Sequence, residues 1–352
     1  MKKIIVMILL LAASFVARGQ KLLDYSDSLS TAYDFLVYLP ESYGASEDEL
    51  PVVLYLHGRS STGTNIENVT KYGSITALRK GLKVNAIIVA PQVESISRGW
   101  EPKKVMSILD FVKARYRVDE NRIYAFGMSM GGNGVYKLVS AYPDKIAAAI
   151  SMCGVCLVDE KPIANVPLWI LHGSADRDIP YSRSTAFVQK MVTEQKASRL
   201  RFTLLEGCDH SILARVFMLE KAYDWLFSHS LTDEGRPISM KHDVTSDDLH
   251  NIYGNLKTQP KNIPIERVGS EARTEQPVAT ITTEAVAHKA PTTTQSKPHA
   301  KSSSANKYHV IEKGDNLYKI ASKYNTRVSE ICRLNNIHET AILQIGVKLR
   351  VK

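Results

Sequence analysis

Residues Ile123-Tyr124-Ala125-Phe126-Gly127-Met128-Ser129-Met130-Gly131-Gly132 read as an apolar strand, a tight turn and the start of a helix that runs to about Tyr142. Gly127 and Gly131 stand two residues either side of Ser129, which gives G-x-S-x-G in the strand–turn–helix setting that the pattern requires. A nucleophilic hydroxyl has to stand out at a strained turn, and side chains at the flanking positions would collide with neighbouring backbone. The helix N-terminus beneath the serine favours developing negative charge. Ser129 is therefore the candidate nucleophile, with Gly127 and Gly131 as the glycines of its turn.

Outward from this turn, apolar runs alternate with amphipathic stretches. Strands are expected at Phe35–Leu39, Val52–Leu56, Ala86–Ala90, Ile123–Phe126, Ala147–Ser151, Leu168–Leu171 and Arg201–Leu205. Between them, Val105, Ile108, Leu109, Val112 and Tyr116 recur at helical spacing and make one buried face. Short, continuously apolar strands alternating with helices predict an α/β fold, a doubly wound and mostly parallel sheet covered on both sides.

A serine of this kind needs a base and an acid. The strand Leu168–Leu171 runs into His172-Gly173-Ser174-Ala175-Asp176-Arg177-Asp178-Ile179-Pro180, and Arg201–Leu205 runs into Glu206-Gly207-Cys208-Asp209-His210. Ser129, Asp176 and His210 follow one another at intervals of 47 and 34 residues, each enough for one helix and one strand. Asp178 is a rival for the acid, and His57 and His172 read as hydrogen-bonded structural residues at strand ends.

With these residues the chain resembles the α/β-hydrolase superfamily over about residues 32–230, and within it the compact esterases of the phospholipase/carboxylesterase, dienelactone-hydrolase and polyhydroxybutyrate-depolymerase/feruloyl-esterase kind. The resemblance implies a secreted serine hydrolase of the carboxylesterase type acting on an ester substrate. Asp176 maps onto the acid of an H-G-x-x-D-x-x-[VI]-P stretch, and His210 onto the base after the last strand. His57-Gly58 becomes the oxyanion loop, with the N–H groups of Arg59 and Met130 as its donors. Trp100 is a candidate wall of the substrate pocket or a packing residue. A peptidase or amidase using the same triad and a non-catalytic glycan-binding protein are the alternatives; the intact triad argues against the latter.

Tyr308-His309-Val310-Ile311-Glu312-Lys313-Gly314-Asp315-Asn316-Leu317-Tyr318-Lys319-Ile320-Ala321 resembles the opening of a lysin-motif (LysM) domain, in a β-α-α-β unit over residues 307–352. Asn316 stands where Ser or Thr is usual and can still cap the helix. The resemblance implies binding of N-acetylglucosamine-containing glycan such as peptidoglycan, with Gly314, Asp315, Asn316 and Leu317 in the groove.

Charge distribution supports this division. The 352 residues carry a formal net charge of +9, yet residues 20–231 hold 24 basic against 23 acidic side chains and residues 307–352 hold nine against four. Positive charge gathered in the last 46 residues argues against a nucleic-acid-binding body. Residues 232–306 contain no Phe, Trp or Cys, and predict a flexible linker, of which the part up to about Val268 has the option of packing on the body. Met1–Gly19, with Lys2 and Lys3 before the apolar run Ile4–Ala13, reads as a secretory signal, and that run is too short for a transmembrane segment. No His, Cys or carboxylate set has metal-ligand spacing, so neither metal nor cofactor is expected. Cys153, Cys156 and Cys208 are candidates for a structural disulfide.

Overall fold

In the computed structural model, residues 19–97, 99–255, 262–268, 307–312, 317–324, 326, 328–335, 337 and 346–351 are described. All of the proposed signal but Gly19 falls outside them. The chain divides into two compact units, split between Pro277 and Val278.

The first unit is built on nine strands: β1 (Lys21–Asp24), β2 (Asp34–Leu39), β3 (Leu50–Leu56), β4 (Ile87–Gln92), β5 (Val118–Met128), β6 (Ala148–Met152), β7 (Leu168–Gly173), β8 (Leu200–Leu205) and β9 (Ile265–Arg267). They lie side by side in the order β8-β7-β6-β5-β3-β4-β2-β1-β9. Strands β3 to β8 are mutually parallel, and β1 and β2 form an antiparallel extension beyond β4. Parallel strands need crossovers; four of the five contain the helices α1 (Ser74–Arg79), α2 (Pro102–Lys113), α3 (Met130–Ala141) and α4 (Ser182–Thr193), and the one from β6 to β7 has only the 3₁₀ turn Pro162–Asn165.

Why the parallel strands are apolar throughout follows from burial on both faces. In β3, Val53 and Tyr55 enter one core layer while Val52, Leu54 and Leu56 enter the other, and all are fully buried. The predicted face of α2 is the one that packs: Val105, Ile108, Leu109 and Val112 are buried. After β3 the chain moves outward to β4, whereas β5 returns to the other side of β3 and later strands continue away from it. A crevice opens at the carboxyl ends of strands where the winding reverses in this way. That crevice lies between the ends of β3 and β5, where His57-Gly58 and Ser129 stand.

The linker expected from residue 232 needs correction. Its first part packs on the first unit as a strap containing α6 (Ser246–Asn255) and β9, after α5 (Glu220–Phe227). Val244, Leu249, Ile252 and Ile263 are buried in the core layer that also contains Leu213, Val216 and Phe217. Strand β9 pairs in parallel with β1. Arginines tie down the rest. The Arg201 guanidinium, 4% exposed, stacks 4.1 Å over the Trp169 ring, donates to the Lys241 carbonyl at 2.6 Å and pairs with Asp243. Arg236 donates to the carbonyls of Pro143 at 3.0 Å and Ala147 at 3.1 Å. Composition pointed to a tether because a few buried anchors are diluted among polar residues. Residues 269–306 lie outside the described residues.

The second unit has β10 (Tyr308–Val310), α7 (Leu317–Lys323), α8 (Val328–Asn335) and β11 (Lys348–Arg350), with β10 and β11 antiparallel. Ile311, Leu317, Ile320, Ala321, Ile331, Cys332, Leu349 and Val351 form its core. Asn335 clamps β11 to α8: its amide donates to the Ile331 and Arg350 carbonyls, and its oxygen accepts the Arg350 N–H at 2.8 Å. Among the described residues no helix is long and apolar enough to cross a membrane.

Candidate active site

Ser129 occupies φ 57° and ψ −119°, a conformation that costs a non-glycine residue about 1–3 kcal/mol. Two backbone bonds hold it there: its N–H donates to the Met152 carbonyl at 2.8 Å, and its carbonyl accepts the Asn133 N–H at 2.9 Å. Gly131 shows why a side chain is excluded beside it, because a Cβ there would lie 1.8 Å from the Leu56 carbonyl oxygen. Gly127 is closed in the same way, with the Gly131 carbonyl oxygen 2.4 Å from where its Cβ would be.

The loop after β7 presents Asp176, 6% exposed. One carboxylate oxygen accepts the backbone N–H groups of Asp178 at 2.9 Å and Ile179 at 2.8 Å. The other receives Nδ1–H of His210 at 2.7 Å. This geometry distinguishes the two aspartates, since Asp178 contributes a backbone N–H that orients Asp176 while its own side chain is exposed. His172 supports the same loop from beneath. Its Nε2–H donates to the Ile179 carbonyl at 2.9 Å, its Nδ1 accepts from the Ser184 hydroxyl at 2.7 Å, and burial pushes its pKa below the ordinary value.

Cys153 links the two halves of the site. Its sulfur faces the Ser129 backbone N–H, and it lies within 4.8 Å of both an Asp176 carboxylate oxygen and a His210 ring nitrogen. Nothing in the sequence marked Cys153 for this place. Burial, with the Asp176 charge adding to it, pushes its thiol well up, so it stands beside the pair as a neutral group. Cys153, Asp176 and His210 have the ligand types for a metal ion, but a metal there would have to displace the Asp176–His210 bond and the thiol proton. Cys153, Cys156 and Cys208, the candidates for a disulfide, are free thiols.

On the other side of Ser129, Arg59 opens the 3₁₀ turn Arg59–Ser61 and Met130 opens α3. N–H groups in the first turn of a helix have no acceptor within it and are available to a ligand. His57 shapes this loop. Its Nε2 accepts the Val93 N–H at 3.0 Å and its Nδ1–H donates to the Gly58 carbonyl at 2.7 Å, which fixes one neutral tautomer. Burial lowers its pKa to about 4. Trp100, a candidate pocket wall, is 2% exposed and serves instead as the floor beneath the loop. Its ring meets His57 at 4.9 Å between centroids and its indole N–H donates to the His57 carbonyl at 3.2 Å.

In the second unit, Leu317 is 4% exposed and belongs to the core, so its side chain does not line a groove. Gly314, Asp315 and Asn316 lie outside the described residues.

Comparison with known proteins agrees with this architecture. Residues 309–352 match the family model for the LysM domain. A bifunctional acetylxylan esterase/xylanase, XynS20E of Neocallimastix patriciarum, is 26% identical over 173 residues, covering 47% of this chain and 25% of the relative. The "Putative esterase NocK" of Nocardia uniformis subsp. tsuyamanensis is 24% identical over 149 residues, covering 37% of this chain and 41% of the relative. The chain thus spans well under half the length of either curated relative. A solved structure of a thermostable esterase aligns with TM-score 0.49 and 23% identity, over 60% of this chain and 63% of that one. Residues 26–215, more than half of the sequence and the part that carries Ser129, Asp176 and His210, match the model of the family described as "Putative esterase", and the chain belongs to that α/β-hydrolase family.

Proposed function

We propose that this protein is an exported serine hydrolase that cleaves carboxylic esters through Ser129, His210 and Asp176, and that its LysM unit holds it on glycan containing N-acetylglucosamine. The observation that carries the reading is the 2.7 Å bond from His210 Nδ1–H to an Asp176 carboxylate already anchored by two backbone N–H groups. A base held in that tautomer leaves Nε2 free to take the Ser129 proton. Family membership supports the ester as substrate class, and the acetylxylan esterase among the relatives supports an acyl group carried on polysaccharide.

In this mechanism Ser129 Oγ attacks the ester carbonyl as His210 Nε2 accepts its proton, and Asp176 stabilises the imidazolium. The carbonyl oxygen becomes an anion held by the N–H groups of Arg59 and Met130, each donor worth roughly 3 kcal/mol in comparable sites. His210 returns the proton to the departing alcohol. Water, activated by the same histidine, then releases the acid from Ser129. The test is turnover of p-nitrophenyl acetate. Ser129→Ala and His210→Ala are each expected to lower kcat by several orders of magnitude, and Asp176→Asn to hurt far more than Asp178→Asn. Near-normal turnover by Ser129→Ala would remove the assignment.

A further inference from the structure

We infer that Tyr72, which lies outside the triad and the oxyanion loop, supplies a third hydrogen-bond donor to the oxyanion; the inference rests on the serine-hydrolase reading above. A Cβ built on Gly58 would lie 2.9 Å from the Tyr72 hydroxyl oxygen and 3.7 Å from the Cβ of Ser129. The phenol therefore reaches the point between the oxyanion loop and the nucleophile. Its hydroxyl has no hydrogen-bond partner among the described residues and the side chain is half-buried, so the O–H is free to donate to a bound group.

The strand that carries the oxyanion loop also fixes where Tyr72 points. Tyr55 of β3, fully buried, donates its hydroxyl to the Tyr72 backbone carbonyl at 3.1 Å. Its ring packs under Gly73, where φ is +83° and a Cβ would lie 2.1 Å from the Tyr55 hydroxyl. One residue beyond Tyr55 the same strand ends at Leu56, and His57 and Gly58 follow it directly. One rigid element thus sets both the oxyanion loop and the turn that holds Tyr72, the kind of support a preorganised donor needs.

Sheet order decides which substrate atom the phenol meets. Asp176 and His210 follow β7 and β8, on one side of Ser129, whereas Gly58 follows β3 on the other. The leaving alcohol must face His210 to receive its proton. A donor beside Gly58 faces the carbonyl oxygen, so the Tyr72 O–H hydrogen bonds to the oxyanion and keeps its own proton throughout. The glycine at position 58 has a local cause in this picture, because any larger residue would push the hydroxyl away.

Tyr72→Phe removes only the hydroxyl. In the full-length protein with p-nitrophenyl acetate, kcat is expected to fall about tenfold or more with KM little changed, as for loss of a donor that acts in the transition state. Affinity for a phenylboronic acid, whose tetrahedral adduct with the serine copies the anion, should fall by a similar factor. Titration with a fluorophosphonate counts intact sites, so any loss of folded protein is divided out of kcat. Unchanged kcat, a change in KM alone, or a fall in kcat without matching loss of boronate affinity would each overturn the role of Tyr72. Persistent turnover by Ser129→Ala would instead overturn the underlying reading, whatever Tyr72→Phe did.

Discussion

Strand β7 and the strap formed by residues 232–255 and 262–268 both pack on the same core layer, yet they differ completely as sequence. Leu168-Trp169-Ile170-Leu171 is a continuous apolar run that no other environment would suit. The strap presents Val244, Leu249, Ile252 and Ile263 singly, separated by Asp, Ser, Lys and Asn, and it satisfies buried carbonyls through Arg201 and Arg236 rather than by burying large faces. A segment that founds a core has to declare itself by composition, because its whole surface is buried. One that docks onto a finished core needs only a few anchors at the right spacing. The strap is nonetheless part of the site's support, since it braces the chain on both sides of His210. Ser246 Oγ donates to the Glu206 carbonyl at 2.9 Å, and Arg215 donates to the Leu249 carbonyl at 2.9 Å.

Ending the chain after Leu231 is the strongest way to break this comparison. It would expose the core under four buried apolar side chains, each worth about 1.5–3 kcal/mol when buried, and leave Arg201 without its carbonyl and carboxylate partners. Domain stabilities of about 5–15 kcal/mol do not withstand such a loss. The expected outcome is an unfolded or insoluble product with no turnover of p-nitrophenyl acetate. Full activity would mean that the strap is dispensable and that residue 231 is the true edge of the fold.

Single side chains sharpen the same point. Leu171 in β7 and Leu249 in α6 are both fully buried in one cluster. Truncating either to Ala should cost about 2–5 kcal/mol, read from urea midpoints at constant slope. A loss below 1 kcal/mol at Leu249 would show that the strap collapses around the gap while the strands cannot.

Acidity tests body and strap together through two buried histidines. His57 has its pKa lowered to about 4 by burial, against 6.5 for the exposed residue. The unfolded chain therefore binds a proton that the folded chain refuses between those values. Stability should be complete above about pH 6.5 and fall as pH drops to 4, by roughly 3 kcal/mol from His57. His229 shifts in the same direction, again through burial, and its Nε2 accepts the Ser239 N–H of the strap at 3.0 Å. Urea midpoints at pH 7, 5.5 and 4.5 measure the loss, and limited proteolysis should cut near Ser239 first as His229 protonates. Stability that stayed level across this range would contradict the neutral, hydrogen-bonded state of both rings.

What the sequence displayed follows the same physical division. All seven expected strands are present, and the ends differ by a few residues, because burial on both faces writes a run that polar substitutions would interrupt. β1 was missed since Lys21-Leu22-Leu23-Asp24 is short and only half apolar, and β9 since Glu266 and Arg267 face solvent at the edge of the sheet. For the site, Ser129 and its glycines were legible because a strained turn restricts residue type. That Asp176 and not Asp178 pairs with His210 was legible only through resemblance, for backbone N–H groups that no side-chain pattern records turn the Asp176 carboxylate toward it. Trp100 was ambiguous in sequence because a tryptophan near a strand end suits a pocket wall and a packed floor equally. Tyr72 and Cys153 left no signal, as the path of a loop brings the one to Gly58 and the other to the Ser129 turn.

The smallest expected effect comes from a cut placed later. A chain ending after Val268 keeps α6, β9 and every strap contact described above, and loses the residues up to and including the LysM unit. Because β9 pairs with β1 and Val268 N–H still donates to the Asp24 carbonyl at 3.0 Å, the edge of the sheet remains closed. Thermal midpoint and kcat on soluble esters should match those of the full chain within error. Turnover of esters attached to insoluble wall material should fall, since tethering raises local enzyme concentration only when the binding unit is present. The excess of nine basic over four acidic residues in residues 307–352 offers a rival cause for retention on anionic polymer. Attraction between exposed charges is screened within about 8–10 Å at physiological salt, whereas recognition of sugar by backbone and apolar contacts is not. The full chain is therefore expected to stay on insoluble peptidoglycan or chitin in high salt. Release by moderate salt would assign the attachment to charge, and an altered thermal midpoint after the Val268 cut would show that the boundary between body and tail lies still further along the chain.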